Sequence, residues 1–244
     1  MRVLLFAAGL GTRLRPLTDT MPKALVPVDG QPLLHHTLTT LAAAGAKEVV
    51  VNVHHFGQQI IDYVASHDYP LTIRISDERQ ALLDTGGGLR QALPLFSPSD
   101  APILMHNVDI LSNADLRTFY AQHGSADVRL MVSERTTQRY LLFDEAMQLV
   151  GWTNTATGEV RTPHKNLDLR TTKMLAFAGI HSVSPRLQSL LASYPAKFPI
   201  MDFYLEQCAH LHIEGVAMPS LSLLDVGKVD SLSAAEEFIK RHKL

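Results

Sequence analysis

Residues 1–27 read MRVLLFAAGLGTRLRPLTDTMPKALVP. The apolar stretch 3–8 has the length and content of a strand buried on both faces. It runs straight into Gly9-Leu10-Gly11-Thr12-Arg13, and Lys23 follows a short polar stretch. Glycine lets backbone N–H groups close on anionic oxygens, and Arg13 and Lys23 add fixed positive charge. Strand, pliable backbone and two cations in that order predict a cradle for a polyphosphate.

Outward from this stretch the first half alternates. Strands are predicted at 48–53, 71–75 and 103–106. Helices are predicted at 32–44, 57–66 and 113–124, and one starts at 87. Short apolar strands alternating with helices predict a parallel sheet covered on both faces. The second half is looser. Residues 128–133, 140–143 and 148–152 read as strands near a sheet edge, and 154–170 as a polar loop. A strand at 173–183, helices at 185–193 and 201–210 and a strand at 213–217 follow. The closing helix, 230–242, places Leu232, Ala235, Phe238 and Ile239 on one face. With no repeat, low-complexity tract or linker, one domain over 1–244 is expected, its later strands forming a substrate-side lobe.

The chain has 244 residues, of which 46% are hydrophobic and 19% charged, within the range of a folded globular protein. A net charge of −2 without long runs of one sign argues against a nucleic-acid-binding surface. Cys208 is the single cysteine, so no disulfide framework exists and an intracellular, cytoplasmic protein is expected. The apolar core near the start is at the short end of the roughly 7–15 residues of a signal peptide, and Arg13 and Arg15 follow at once. No apolar run approaches the ~20 residues of a membrane helix, so no membrane partner is expected.

Gly9-Leu10-Gly11-Thr12-Arg13-Leu14 starts like a dinucleotide fingerprint, but Leu14 stands where a third glycine is needed. The P-loop pattern fails as well, since no Gly-Lys-Ser/Thr follows at its spacing. The full string AAGLGTRLRPLT, then Pro22-Lys23, Leu25 and Pro27, resembles the signature of the sugar-1-phosphate nucleotidylyltransferases. These enzymes couple a nucleoside triphosphate to a sugar 1-phosphate and release pyrophosphate. The resemblance implies a Rossmann-like three-layer α/β sandwich of the nucleotide-diphospho-sugar transferase type. Its mostly parallel sheet would have a nucleotide-binding half, 1–125, and a sugar-binding half, 126–244. It implies that backbone from Ala7 and Ala8 through Gly9 and Gly11 to Thr12 holds the nucleotide. Arg13 would grip the leaving phosphates, and Lys23 would bridge phosphates near the reacting phosphorus.

Asp109 lies just past the strand 103–106, and the C-terminal ends of parallel strands are where such sheets bind ligands. Asp225 follows the apolar run 221–224. Two carboxylates from distant strand ends suit Mg²⁺, which takes one or two carboxylates plus phosphate oxygens and water. Asn107-Val108-Asp109 and Asp225-Val226-Gly227 match the family's two metal-binding segments, implying Mg²⁺ at Asp109 and Asp225, with Asp109 catalytic. Val108 departs from the usual small residue, and Lys228 from a small polar one.

Glu78 precedes a second glycine cluster, Asp84-Thr85-Gly86-Gly87-Gly88, similar to the family's base-reading segment. Gly86 and Gly87 would let a flat base lie on the backbone. An ionised Glu78 only accepts hydrogen bonds, which favours the N–H-bearing edges of uracil and guanine over cytosine N3. UTP or GTP is therefore expected.

On the sugar side, Phe177-Ala178-Gly179-Ile180 resembles the family's pocket strand, with Gly179 permitting close approach. Asp202 either accepts sugar hydroxyls or caps its helix. The family's Glu-Lys-Pro lysine is missing, and Lys165, Lys173 and Arg161 are unranked substitutes. The short chain resembles most the compact branch acting on N-acetylmuramic acid 1-phosphate or mannose 1-phosphate, as a monomer or homodimer. The twelve histidines show no zinc-ligand spacing. Two rival readings remain open, a nucleotide-sugar sensor without turnover and a cytidylyltransferase acting on a non-sugar phosphate.

Overall fold

In the computed structural model, which describes residues 1–218 and 220–242, the chain opens on β1 (Arg2–Phe6). The hairpin β2 (Pro27–Val28) and β3 (Gln31–Pro32) leads into α1 (Leu33–Ala43). β4 (Glu48–Val53), α2 (Gly57–Ala65), β5 (Thr72–Asp77), α3 (Asp84–Ala92) and β6 (Ile103–Asn107) complete the expected alternation. The strands pair in parallel in the order β6-β1-β4-β5. Next come a short strand β7 (Ile110–Ser112) and α4 (Leu116–Ala121). α4 is shorter than the predicted 113–124 because Asp115 caps it, accepting from Thr118 N.

The second half holds β8 (Val128–Ser133), β9 (Arg139–Phe143), β10 (Leu149–Asn154), β11 (Glu159–Arg161) and the long β12 (Lys173–Val183). α5 (Gln188–Ala192), α6 (Ile200–Gln207), β13 (Ile213–Ala217), β14 (Leu223–Asp225) and α7 (Leu232–His242) follow. β12 runs antiparallel to β6, β8 and β9, which joins both halves in one sheet.

Two edge expectations change. β8 is flanked by β12 and by β13, and all six of its residues are buried. β11 lies inside the stretch predicted as loop, and all three of its residues are exposed. An exposed polar edge strand carries no alternation for sequence reading to detect.

Side chains of the central strands alternate between two cores, which makes the sheet the middle of three layers. Leu4, Val50 and Met105 face α3, α5 and α6, packing with Leu89, Leu191 and Phe203. Val3, Leu5, Val49 and Val51 face α1, α2 and α4, packing with Leu38, Ile60 and Phe119. Each fully buried Leu or Val of this kind contributes about 1.5–3 kcal/mol. A third cluster joins Leu14, Val26, Leu33 and Val226 to Ala235 and Ile239 of α7. The closing helix thereby pins the loop that carries Arg13 to the segment that follows Asp225. No helix among the described residues is long and apolar enough to cross a membrane.

Candidate active site

β1, β4, β5 and β6 end side by side, and a cavity of about 280 Å³ opens at their C-terminal ends. Ala7, Ala8, Gly9, Lys23, Glu78 and Asp109 all line it.

The glycine loop reaches it at Gly9. Gly11 has φ +64°, and a Cβ there would lie 2.9 Å from Thr18 Cγ2 and 3.1 Å from Lys23 Cβ. Only glycine meets both demands. Thr18 Oγ1 donates to Gly11 O at 2.8 Å, fastening the loop to the stretch leading to Lys23. Among the described residues the backbone N–H groups of 9–13, Thr12 included, find no protein acceptor. They are free to bind an anion.

Ala7 and Ala8 behave differently from the expectation. Their N–H groups donate to Asn52 Oδ1 at 2.7 and 3.2 Å, so they are already spoken for. Asn52 Nδ2 in turn donates to Glu78 Oε1 at 2.8 Å, and Leu83 N donates to Oε2 at 3.2 Å. Burial pushes the Glu78 carboxyl above the ordinary carboxylate range, while these two donors pull it down. Asn52 thus couples the first strand to the base-reading candidate. Its signal in the sequence was a lone amide inside the otherwise apolar run Val49-Val50-Val51-Asn52-Val53.

The second glycine cluster also departs from its expected role. A Cβ on Gly86 would lie 2.2 Å from the Phe198 ring, and one on Gly87 would lie 2.2 Å from Ala196 O. Both glycines are buried against this segment, and both donate their N–H to Phe198 O. Their small size serves packing, while Asp84 and Thr85 line the cavity instead. Gly88 opens toward Glu78, where a Cβ would sit 2.9 Å from Oε1.

Lys23, whose side chain is 9% exposed, forms an ion pair with half-buried Asp109. Asp225 is brought beside Asp109 by the backbone. β14 pairs antiparallel with β7, Asp225 opposite Ile110, and Val226 N donates to Asp109 O at 2.9 Å. Across from them, a Cβ on Gly227 would lie 2.7 Å from both Arg13 Nη2 and Asp225 Oδ1. The missing side chain leaves room for a cation and a carboxylate. Val108 packs into the core at 4% exposure, and Lys228 starts the turn into α7.

Gly179 has φ +75° and abuts Asn107, whose Nδ2 lies 3.2 Å from where a Cβ would be. Asp202 caps nothing. Pro199 holds the N-cap of α6 without a side-chain bond, and Asp202 Oδ1 pairs with Arg161 Nη2 at 2.8 Å. Lys165 and Lys173 are exposed and do not line the cavity. Cys208 is buried, which pushes its thiol up to about 11. Among the described residues no three His, Cys, Asp or Glu side chains converge to hold a metal by themselves.

A family model for the MobA-like NTP transferase domain matches residues 3–192. The chain is 31% identical to the N-acetylmuramate alpha-1-phosphate uridylyltransferase of Caulobacter vibrioides, covering 96% of this chain and 94% of that protein. It is 30% identical over 145 residues to the mannose-1-phosphate guanyltransferase of Schizosaccharomyces pombe, where the match spans 57% of this chain and 40% of the other. Among solved structures it resembles HddC from Yersinia pseudotuberculosis, with a TM-score of 0.77 at 19% identity, over 97% of this chain and 98% of that one. At that identity the likeness speaks for the fold.

Proposed function

The chain belongs to the MobA-like NTP transferase family, and on that premise we propose that it moves a nucleotidyl group from UTP or GTP onto a sugar 1-phosphate and releases pyrophosphate. The observation that carries this reading is the Lys23–Asp109 pair beside the unpaired N–H groups of residues 9–13. Lys23, Asp109 and Gly9 line one cavity, and the loop that continues from Gly9 carries the further free donors that a charge-spreading displacement at phosphorus requires.

In this reading a phosphate oxygen of the sugar phosphate attacks the α-phosphorus in line, and pyrophosphate leaves. Lys23 neutralises charge growing around the α-phosphate. The N–H groups of 9–13 and the Arg13 guanidinium hold the departing phosphates. No covalent enzyme intermediate is needed, since positioning and charge neutralisation account for the rate. Glu78 keeps a free lone pair on each oxygen and accepts from uracil N3–H or guanine N1–H, whereas cytosine N3 offers no hydrogen. Gly179 gives the sugar close access beside Asn107.

The metal implied by the family fits the donor set. Two carboxylates, Asp109 and Asp225, on adjoining backbone fall short of a full protein cage and match Mg²⁺ completed by phosphate oxygens and water. When bound, Mg²⁺ would supply further neutralisation of phosphate charge.

The continuous sheet supports one functional unit over 1–244, with nucleotide read by 1–125 and sugar by 126–244. Free nucleotides and a lone cysteine support a cytoplasmic setting. The test is pyrophosphate release with Mg²⁺, crossing UTP, GTP, CTP and dTTP with a panel of sugar 1-phosphates. Release requiring UTP or GTP together with one sugar phosphate is expected. CTP as best substrate, or release with phosphocholine, would overturn it.

A further inference from the structure

A small polar pocket of about 10 Å³ lies between α1 and the turn that carries Asp109, lined by Thr37 and Thr40 of α1, His106 of β6 and Ser112 of β7. We propose that this pocket holds one water molecule, and that His106, through its ring and that water, is a positioning residue for Asp109. The positioning role rests on the nucleotidyl-transfer reading above, whereas the water site does not.

Three successive carbonyls of this turn are each claimed by a donor from a different element. Asn107 O accepts from His106 Nδ1 at 2.8 Å, Val108 O from Thr37 Oγ1 at 3.1 Å, and Asp109 O from Val226 N at 2.9 Å. These bonds set the backbone that aims the Asp109 carboxylate, and two of the donors, His106 and Thr37, line the pocket. A carbonyl only accepts, so His106 Nδ1 carries the ring proton. Burial lowers the His106 value to about 4, which keeps the ring neutral near neutral pH and leaves Nε2 as an acceptor. Among the described residues no protein donor reaches Nε2, and the hydroxyls of Ser112 and Thr40 have no protein partner either. His106 and Ser112 are both buried, and a buried polar group left unpaired is costly. An internal water takes roughly two to four polar partners, and a volume near this one admits a single molecule. It donates to Nε2 and bonds the two hydroxyls, tying α1, β6 and β7 together beside the turn.

Ser112 carries the same brace to the second carboxylate. It pairs with Leu223 of β14, and in the same ladder Ile110 pairs with Asp225. A water seated against Ser112 therefore steadies the short ladder that sets Asp225 beside Asp109. The Asp109 charge acts to raise the His106 value against burial, so ring and carboxylate lie within electrostatic reach of one another. Groups that orient a metal-binding carboxylate from behind typically carry about 10–100-fold in metal affinity or activity.

The site is tested on the unaltered chain without turnover. Nitrogen NMR of the histidine rings should show His106 as the Nδ1–H tautomer, and a high-resolution crystal structure should show one ordered water against Nε2 and Ser112 Oγ. An Nε2–H tautomer, or a dry pocket, would overturn the site. The role is tested by Mn²⁺ titration in the presence of UTP or GTP, followed by water-proton relaxation. His106→Phe, which removes both ring nitrogens, should weaken Mn²⁺ binding roughly 10–100-fold. Ser112→Ala, which spares the ring, should weaken it by a smaller factor. His106→Asn keeps an N–H donor for Asn107 O and should recover part of the loss. Mn²⁺ affinity unmoved in His106→Phe and Ser112→Ala would overturn the positioning role while leaving nucleotidyl transfer standing. An unaltered chain that binds neither nucleotide with Mn²⁺ would remove both.

Discussion

Lys23 Nζ donates to Asp109 Oδ2 across 86 residues of sequence, inside a cavity that Gly9, the first residue of the glycine loop, also lines. A largely buried ion pair repays its desolvation poorly. Under the proposed reading its value is to hold both charges ready, the lysine for phosphate and the carboxylate for a cation. Asp109→Asn is therefore expected to cut kcat by roughly 10²–10³-fold, the cost of removing one transition-state electrostatic contact. Lys23→Met should do the same. Breaking a buried pair costs about 3–5 kcal/mol, an upper bound here because Asp109 keeps partial exposure. Nucleotide with Mg²⁺ should stabilise the unaltered chain far more than Asp109→Asn. Thermal melts with and without ligand check this, and equal shifts would detach Asp109 from the site.

Asn52 and Glu78 should be felt in stability as well as in nucleotide use. Asn52→Ala leaves two backbone N–H groups and a buried carboxylate without their partner, a loss of about 1–3 kcal/mol. KM for the nucleotide should rise with it. Glu78 supplies a pH signature. Burial raises its folded value, so the folded state holds the proton more tightly than the unfolded chain. Its contribution is present below the unfolded value and is lost as pH rises through the raised folded one. Urea unfolding from pH 4 upward should show Glu78→Gln with a flatter profile over that window. Parallel profiles would mean that Glu78 does not titrate on folding.

The contrast between these two residues shows what the sequence carried. The glycine loop, Lys23, Asp109 and the strand–helix alternation announce themselves because they are local. A strand end, a glycine pair and two cations follow one another within 27 residues. Asn52 was hidden because its meaning lies in partners on other segments, Ala7, Ala8 and Glu78. Gly86 and Gly87 were legible as glycines but not as packing residues, since Phe198 comes 112 positions after Gly86 in the numbering yet touches it in space. β11, β7 and β14 were too short or too polar to show a period. Of these, the pairing of β7 with β14 is what sets Asp225 beside Asp109.

Gly86→Ala tests that packing role. Its Cβ would fall 2.2 Å from the Phe198 ring, so the ring or the helix must move. Overpacking of this kind costs about 1–3 kcal/mol. If the glycine serves packing, Phe198→Leu in the same chain should return part of the lost stability, because the smaller side chain vacates the collision. The pair should be strongly non-additive by a double-mutant cycle in urea. Additive losses would show that Gly86 is needed for something other than Phe198, with ligand contact through its backbone the leading choice.

His181 predicts how the fold fails in acid. It is fully buried in β12, neither ring nitrogen has a partner among the described residues, and its ring meets Tyr204 edge-on at 5.7 Å. Burial, with neighbouring His106 adding to it, lowers its value to about 3, and burial lowers His106 to about 4. The unfolded chain then binds more protons than the folded one between these values and the ordinary histidine range. Stability must fall as pH drops through that window, down to the depressed folded values. His181→Leu, similar in volume and without polar atoms, removes one of the two groups. Its acid-unfolding midpoint should move to lower pH, and stability at neutral pH should hold or rise. A midpoint unmoved by the substitution would assign the acid limit to His106 or to the carboxylates instead.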